Sequence, residues 1–106
     1  MNAEGDGMIK SFGDDDTRRV FEGESPRRYP ANIISPAYRK LIALSVAGNI
    51  ADMSVPSSNR LEKLQGKHKD HYSVRISKQW RIIFQWNAGV ASDVKITDYH
   101  SGKDKL

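Results

Sequence analysis

Residues 72–99 constrain the fold more than any other part of this sequence, because apolar and polar side chains alternate there between short turns. Tyr72–Ser77 alternates, Trp80–Trp86 is rich in aromatic and β-branched residues, and Val90–Tyr99 follows the turn Asn87–Gly89. Links of this length join antiparallel strands, whereas parallel strands need long crossover connections. The sequence therefore predicts an antiparallel meander over this region.

A short helix is predicted near the N-terminal end of the chain. Asp14–Thr17 supply an N-cap candidate and acidic side chains, which suit the exposed N–H groups at a helix start. Val20 and Phe21 would then face inward, and Gly23 would end the helix after barely two turns.

A second, amphipathic helix is predicted over Pro36–Ala47. Ser35 is its N-cap candidate, and proline is favoured at the first helical position because its missing N–H is unpaired there in any case. Arg39 and Lys40 are expected to face solvent. The apolar face recurs at i, i+3, i+4 and i+7, through Tyr38, Leu41, Ile42 and Ser45.

The remaining segments complete an α+β fold. Met8–Phe12 and Arg60–Leu64 are short strand candidates, and a loop rich in small residues spans 51–59. The predicted order is β-α-α-β-β-β-β, with two N-terminal helices packed on one face of an antiparallel sheet. Residues 1–7 are expected to be a disordered acidic extension, so that a single domain spans 8–106.

Composition excludes several classes of protein. A chain of 106 residues is one domain in size, and it lacks cysteine, which rules out disulfides, thiolate catalysis and zinc sites built on cysteine. The chain has no apolar run of about 20 residues, the length that spans a bilayer, and its acidic start is unlike a signal peptide. A cytoplasmic protein that binds no membrane is expected.

The net charge of +4 is unevenly distributed. Residues 1–24 hold seven acids and three bases, a net charge of −4, whereas residues 25–106 hold fourteen bases and six acids, a net charge of +8. Such a division indicates either a polyanionic partner, usually a nucleic acid, or a requirement for solubility alone.

Basic side chains are concentrated between residues 60 and 81. Strand alternation places Val74 and Ile76 inward, and it places Arg81 with Ile83 on the face of the sheet opposite Ile82. Arg81 would then lie on the open face of a central strand, either as part of a solvated charged surface or as part of a phosphate site.

Two groups of residues that include histidine are candidate sites. His68 and His71 lie in a predicted hairpin loop without a further ligand at suitable spacing, so no metal site is predicted. Asp98, Tyr99 and His100 follow one another at the end of the last strand, where alternation places Asp98 and His100 on one face and Tyr99 on the other.

The sequence resembles the HigB-type toxins of bacterial toxin–antitoxin modules, which belong to the RelE/ParE toxin superfamily. The resemblance covers about residues 8–100 and rests on segments that occur in the same order. These segments are Met8–Phe12 (MIKSF), Arg60–Gly66 (RLEKLQG), Tyr72–Ile76 (YSVRI), Gln79–Phe84 (QWRIIF) and Asp98–His100 (DYH).

The resemblance implies a RelE-like, microbial-ribonuclease-like fold and ribosome-dependent cleavage of mRNA without a metal or organic cofactor. It implies neutralisation by a HigA-like antitoxin with a helix-turn-helix, and contact with DNA only through the antitoxin complex. It carries Arg81, Asp98, Tyr99 and His100 over as catalytic residues. Glu62 stands where some members have a histidine, and Gln65 stands where a basic residue is common. Either activity is weaker here, or Glu62 takes part in proton transfer.

Cleavage of RNA through its own 2′-OH needs a base, a cation near the phosphorus and an acid for the leaving 5′-oxygen. Arg81 suits the cation and His100 the acid, while Tyr99 could stack on a base or bind the phosphate. The base could be Asp98, Glu62 or a ribosomal group. Docking on ribosomal RNA and mRNA is assigned to five cations: Arg60, Lys63, Lys67, Arg75 and Lys78.

The sequence is also compatible with two other functions. One is a ParE-like toxin that inhibits DNA gyrase by binding it, and the other is an RNA-binding module without catalysis. The first would stop replication before translation. The second would be insensitive to replacement of His100.

Overall fold

A computed structural model describes residues 8–99 of the chain. The predicted extension over residues 1–7 and the candidate residue His100 lie outside this part. Helices α1 (Asp15–Phe21) and α2 (Ala31–Val46) come first, and the strands follow in sequence order. These are β1 (Glu62–Lys63), β2 (His71–Arg75), β3 (Trp80–Asn87) and β4 (Val90–Asp98).

The four strands form one antiparallel sheet in the order β1-β2-β3-β4. The turn between β3 and β4 has positive φ at both Ala88 and Gly89, as a two-residue hairpin turn with the twist of the strands requires. Within residues 8–99, no helix is long and apolar enough to cross a membrane. The predicted α+β class and the antiparallel meander are confirmed.

The core lies between the helices and one face of the sheet. Every second residue of β3 enters it, as alternation predicts, through Trp80, Ile82 and Phe84. The helices contribute an apolar stripe from the facing side. Its fully or almost fully buried members are Val20, Ile33, Ala37, Leu41 and Leu44.

Helix α1 forms as its caps predict. The Asp14 carboxylate accepts a hydrogen bond from the Thr17 backbone N–H at 2.8 Å, and Gly23 follows the helix with φ of +92°. The buried Thr17 hydroxyl also accepts a hydrogen bond from the Ile96 N–H at 2.9 Å. This bond ties α1 to β4.

Helix α2 differs from its prediction in both its start and its face. It begins at Ala31, so Pro36 lies inside it, because extending the helix buries Ile33 in the same stripe as Leu41. This burial offsets the backbone hydrogen bond that proline cannot make. Tyr38 and Ile42, which were predicted to face inward, are exposed by 40% and 37%.

The first predicted strand is reduced to two isolated parallel bridges to β4, Ile9 with Ala91 and Phe12 with Val94. Between these bridges β4 contains Asp93 with φ of +51°, where its ladder to β3 also shifts register. This bulge interrupts the straight edge that a continuous strand would need. Glycine at position 13 allows the segment to approach β4 closely, since a Cβ there would lie only 3.0 Å from Asp93 Oδ1.

The segment between α2 and β1 contains two short 3₁₀ helices, Ile50–Ser54 and Ser57–Asn59, where only a loop was predicted. Buried Asn59 donates hydrogen bonds from Nδ2 to the carbonyls of Met53 (2.9 Å) and Val55 (3.3 Å). The strand predicted over Arg60–Leu64 is shorter than expected, since Arg60 has φ of +47° and only Glu62–Lys63 pair.

Candidate active site

The register of the sheet defines which side chains share its far face, the face directed away from the helices. Arg75, Arg81 and Thr97 are direct neighbours across three strands. Glu62, Ser73 and Ile83 form the adjacent row. Because directly paired residues point to the same side, Arg81 lies on the face that the sequence predicts.

Arg81 is buried on this face, with only 7% of its surface exposed. Its Nη1 donates a hydrogen bond to the buried hydroxyl oxygen of Ser73, and its Cζ lies 4.7 Å from the ring centroid of Tyr99. Among residues 8–99, no carboxylate lies within ion-pair distance of Arg81. The guanidinium is therefore positioned by a neutral hydroxyl and an aromatic ring, and its charge remains available to an anion.

Tyr99 and Asp98 point to opposite sides of the sheet, as alternation predicts. Asp98 pairs with Trp80 at the end of β4, and its two carboxylate oxygens accept hydrogen bonds from Gln79 Nε2 at 3.2 and 3.3 Å. The Tyr99 backbone N–H donates to the Gln79 carbonyl, which fixes the chain just beyond the strand. The structure thus brings Tyr99 to Arg81 and places Asp98 on the other side.

Glu62 is exposed and lies on the far face, where it pairs with Ser73 across β1 and β2. On this face Ser73 is therefore the neighbour of both Glu62 and Arg81, and it lies between them. Sequence reasoning did not single out Ser73, although its parity with Arg75 already placed it on this side of the sheet.

The five predicted RNA-binding cations do not form one face. Lys63 pairs with Tyr72, and its ammonium lies 5.3 Å from the centroid of that ring, which stacks on Phe84 on the helix side. Lys67 and Lys78 are exposed in the connections that flank β2. Arg60 and Arg75 instead line a groove of about 640 Å³ together with Lys40, Ser57, Ser58, Ile76 and Ser77.

The prediction that Lys40 faces solvent is wrong. Lys40 is half-buried in α2, and burial, followed by the neighbouring charge of Arg39, lowers its pKa. The Lys40 ammonium is held by Asn59, whose Oδ1 accepts a hydrogen bond from Lys40 Nζ at 2.6 Å.

His71 contacts a carboxylate, a pairing that the sequence did not reveal. Its Nε2 lies 2.7 Å from Asp93 Oδ2, and its ring is 5.6 Å from that of His68, edge to face. The described part of the chain contains no group of side chains that could hold a metal ion.

Tyr72–Ile76 and Gln79–Phe84, two of the segments that carry the sequence resemblance, thus provide Ser73 and Arg81 on the far face. Residues 10–100 match the family model of the RelE-like toxin of the type II toxin–antitoxin system HigB. The chain belongs to this HigB family. The predicted family is confirmed, and with it the prediction of a toxin from a toxin–antitoxin module.

Two relatives whose names contain HigB support the assignment. Toxin HigB-1 of Vibrio cholerae serotype O1 is 38% identical over 86 residues, which cover 81% of this chain and 83% of that protein. Endoribonuclease HigB of Proteus vulgaris is 29% identical over 93 residues, which cover 88% of this chain and all of that protein. The HigB match spans both Arg81 and Tyr99.

Proposed function

We propose that this HigB-family toxin is an endoribonuclease that cleaves mRNA on the ribosome, with Arg81 as the group that stabilises the reacting phosphate. One observation carries the proposal: a buried arginine on the far face is held by Ser73 and Tyr99 and forms no ion pair within residues 8–99. The name of the Proteus vulgaris relative, an endoribonuclease, supports the reaction class.

Arg81 acts where negative charge develops on the phosphorus-bound oxygens as the 2′-OH attacks. Its fork of N–H groups matches two phosphate oxygens, and its low exposure strengthens the interaction because little water screens it. The Ser73 hydroxyl oxygen accepts one N–H of Arg81 Nη1. The other N–H groups of the guanidinium therefore remain for the phosphate.

Tyr99 restrains the guanidinium through its ring, and His100 is assigned as the acid that protonates the leaving 5′-oxygen. The base remains one of three groups: Asp98, Glu62 or a group of the ribosome. Within the described chain, Glu62 is exposed on the same face as Arg81, whereas Asp98 pairs with Trp80 on the side of the helices.

The same assignment includes the partners of the toxin. A HigA-like antitoxin with a helix-turn-helix would neutralise it, and the pair would contact DNA through the antitoxin. The ribosome would supply the positioning that a site with few proton-transfer groups lacks, since well-oriented geometry lowers a barrier by about 7–11 kcal/mol.

The test compares cleavage of end-labelled mRNA alone with cleavage of the same mRNA in initiated ribosome complexes, at two salt concentrations. The wild-type protein is expected to cleave only on the ribosome, and less so at high salt because phosphate contacts release counterions. Equal cleavage of both samples would refute the ribosome dependence.

Variants of Arg81 test the chemical assignment in the same assay. Arg81→Ala is expected to lower the cleavage rate by about 10²–10³, the loss typical of one preorganised donor. Arg81→Lys should recover only part of it, because a point charge lacks the bidentate fork. Arg39→Ala, which removes an exposed arginine on α2, is the matched control. Full activity of Arg81→Lys would contradict the assignment, and arrest of replication before translation would favour a ParE-like toxin.

A further inference from the structure

A second concentration of positive charge lies in the groove between α2, the short 3₁₀ helix Ser57–Asn59 and the end of β2. Lys40, Arg60 and Arg75 line it, and none of the three forms an ion pair within residues 8–99. The lining adds three hydroxyl groups, from Ser57, Ser58 and Ser77, and its members within residues 8–99 include no carboxylate. Ammonium, guanidinium and hydroxyl groups are the donors that bind phosphate oxygens in proteins.

The Lys40 ammonium is positioned by a buried side chain, Asn59. Asn59 is buried, and its Nδ2 donates to the Met53 and Val55 carbonyls, so its Oδ1 must point the other way, toward Lys40. Lys40 Nζ donates to this oxygen at 2.6 Å. An ammonium has three N–H donors, and Asn59 takes one of them, which leaves two for a ligand in the groove. A freely solvated lysine would need no such support.

Arg60 is held in a conformation that its own backbone does not favour. Its φ of +47° and ψ of 53° place it in the left-handed region, which glycine or asparagine adopts far more readily. An arginine at this turn therefore has a use beyond the turn itself. In the structure, Arg60 lines the groove together with Lys40.

Arg75 connects the groove to the candidate active site. It lines the groove, and it is also the direct neighbour of Arg81 across β2 and β3. Side chains paired in this way lie on the same face, about 5 Å apart at their Cα atoms. A strand of RNA with one phosphate at Arg81 therefore has its neighbouring backbone beside Arg75.

We propose that this groove is a second phosphate site, which binds a phosphodiester of single-stranded RNA through Lys40, Arg60 and Arg75. The serine hydroxyls complete the shell around the phosphate oxygens. The identity of the polymer rests on the proposed function, since either the mRNA next to the cleaved bond or a ribosomal RNA segment supplies such a phosphate. The sequence match covers the groove residues but assigns them no ligand.

The test measures how binding depends on salt, with a fluorescein-labelled 2′-O-methyl RNA oligonucleotide that lacks the attacking hydroxyl. Lys40→Gln keeps a donor for Asn59 and removes the charge, and Arg60→Gly removes the charge while fitting the left-handed turn. Each is expected to weaken binding several-fold and to reduce the slope of log K against log salt by about 0.7, the value for one phosphate contact on a single strand. Arg60→Lys should restore the slope.

Lys10→Gln is the control, since Lys10 is exposed and its segment runs along β4, at the opposite edge of the sheet from β1. The same variants are measured for co-sedimentation with ribosomes over the same salt range. A reduced slope with the oligonucleotide assigns the groove to the mRNA strand, and one seen only with ribosomes assigns it to ribosomal RNA. Unchanged slopes in both assays, or an equal change in Lys10→Gln, would overturn the proposal.

The two proposals fail separately. If the slopes are unchanged while Arg81→Ala abolishes cleavage, the groove has another use and the proposed function stands. If the groove variants lose phosphate contacts while Arg81→Ala still cleaves RNA, the groove is a phosphate site on a protein whose catalysis lies elsewhere.

Discussion

Replacing Arg81 by methionine, together with Ser73→Ala, is expected to make the protein more stable and inactive. The double change removes the buried cation and the hydroxyl that binds it, so no polar partner is left unpaired. Methionine is unbranched and flexible, so it packs an apolar chain along the path of the arginine stem. The two outcomes together would show that the buried charge is retained for function at the expense of stability.

The magnitude follows from the contacts of Arg81. Its hydrogen bond to Ser73 contributes about 1.5–3 kcal/mol and its contact with the Tyr99 ring about 0.5–2 kcal/mol. Removing the guanidinium from water costs several kcal/mol, and within residues 8–99 no carboxylate offsets this cost. We expect the free energy of unfolding to rise by about 1 kcal/mol, which raises the Tm of a domain of this size by about 4–8 °C.

Urea unfolding, followed by fluorescence of Trp80 and Trp86, measures the free energy, and the ribosome assay measures cleavage of mRNA. Arg81→Ala is the matched variant, since it leaves a cavity and should lower stability while being equally inactive. A loss of more than about 1 kcal/mol in the methionine double variant would refute the reasoning. Arg81 would then be a structural residue, and the loss of cleavage would reflect unfolding.

Three further predictions address other parts of the chain. His100→Ala should relieve growth arrest in cells that produce the protein at wild-type level, and unchanged arrest would exclude its catalytic role. Thr17→Val should lower the free energy of unfolding by about 1–3 kcal/mol in urea titrations, because the buried Ile96 N–H loses its acceptor; an unchanged midpoint would show that another group accepts it. Asp93→Asn should cost about 1 kcal/mol by the same measurement, since the half-exposed Asp93 loses its carboxylate contact with the His71 ring, and this cost should disappear in a His71→Phe background.

The face of Arg81 could be predicted from the sequence because the side chains of a strand have a strict period of two. Once Trp80, Ile82 and Phe84 point to the core, Arg81 must point away from it. Its near-complete burial and its contact with Ser73 depend instead on how β2 and β3 are aligned. That register is set by the turn between the strands, and the alternation of either strand alone does not contain it.

The start of α2 and the groove were not predictable by the same means. Local rules favour a helix start at Ser35, before Pro36, but burial of Ile33 extends the helix to Ala31. Lys40 reaches the groove through a hydrogen bond to Asn59, nineteen residues further along the chain. Contacts of this kind arise from tertiary packing, and the residue pattern of a single segment contains no information about them.

The way the sheet ends on each side limits how other chains can join it. Along β4, the backbone of residues 10–13 already forms hydrogen bonds with Ala91 and Val94. On the opposite side the sheet ends in β1, which has two residues, both charged, Glu62 and Lys63. Within residues 8–99, the segment beside β4 and the short charged β1 therefore limit the backbone that is open to an incoming strand, a device by which natural sheets avoid edge-to-edge polymerisation. Both edges thus oppose pairing between copies of the toxin: β4 is partly covered by its own chain, and β1 presents charge in place of a long apolar strand.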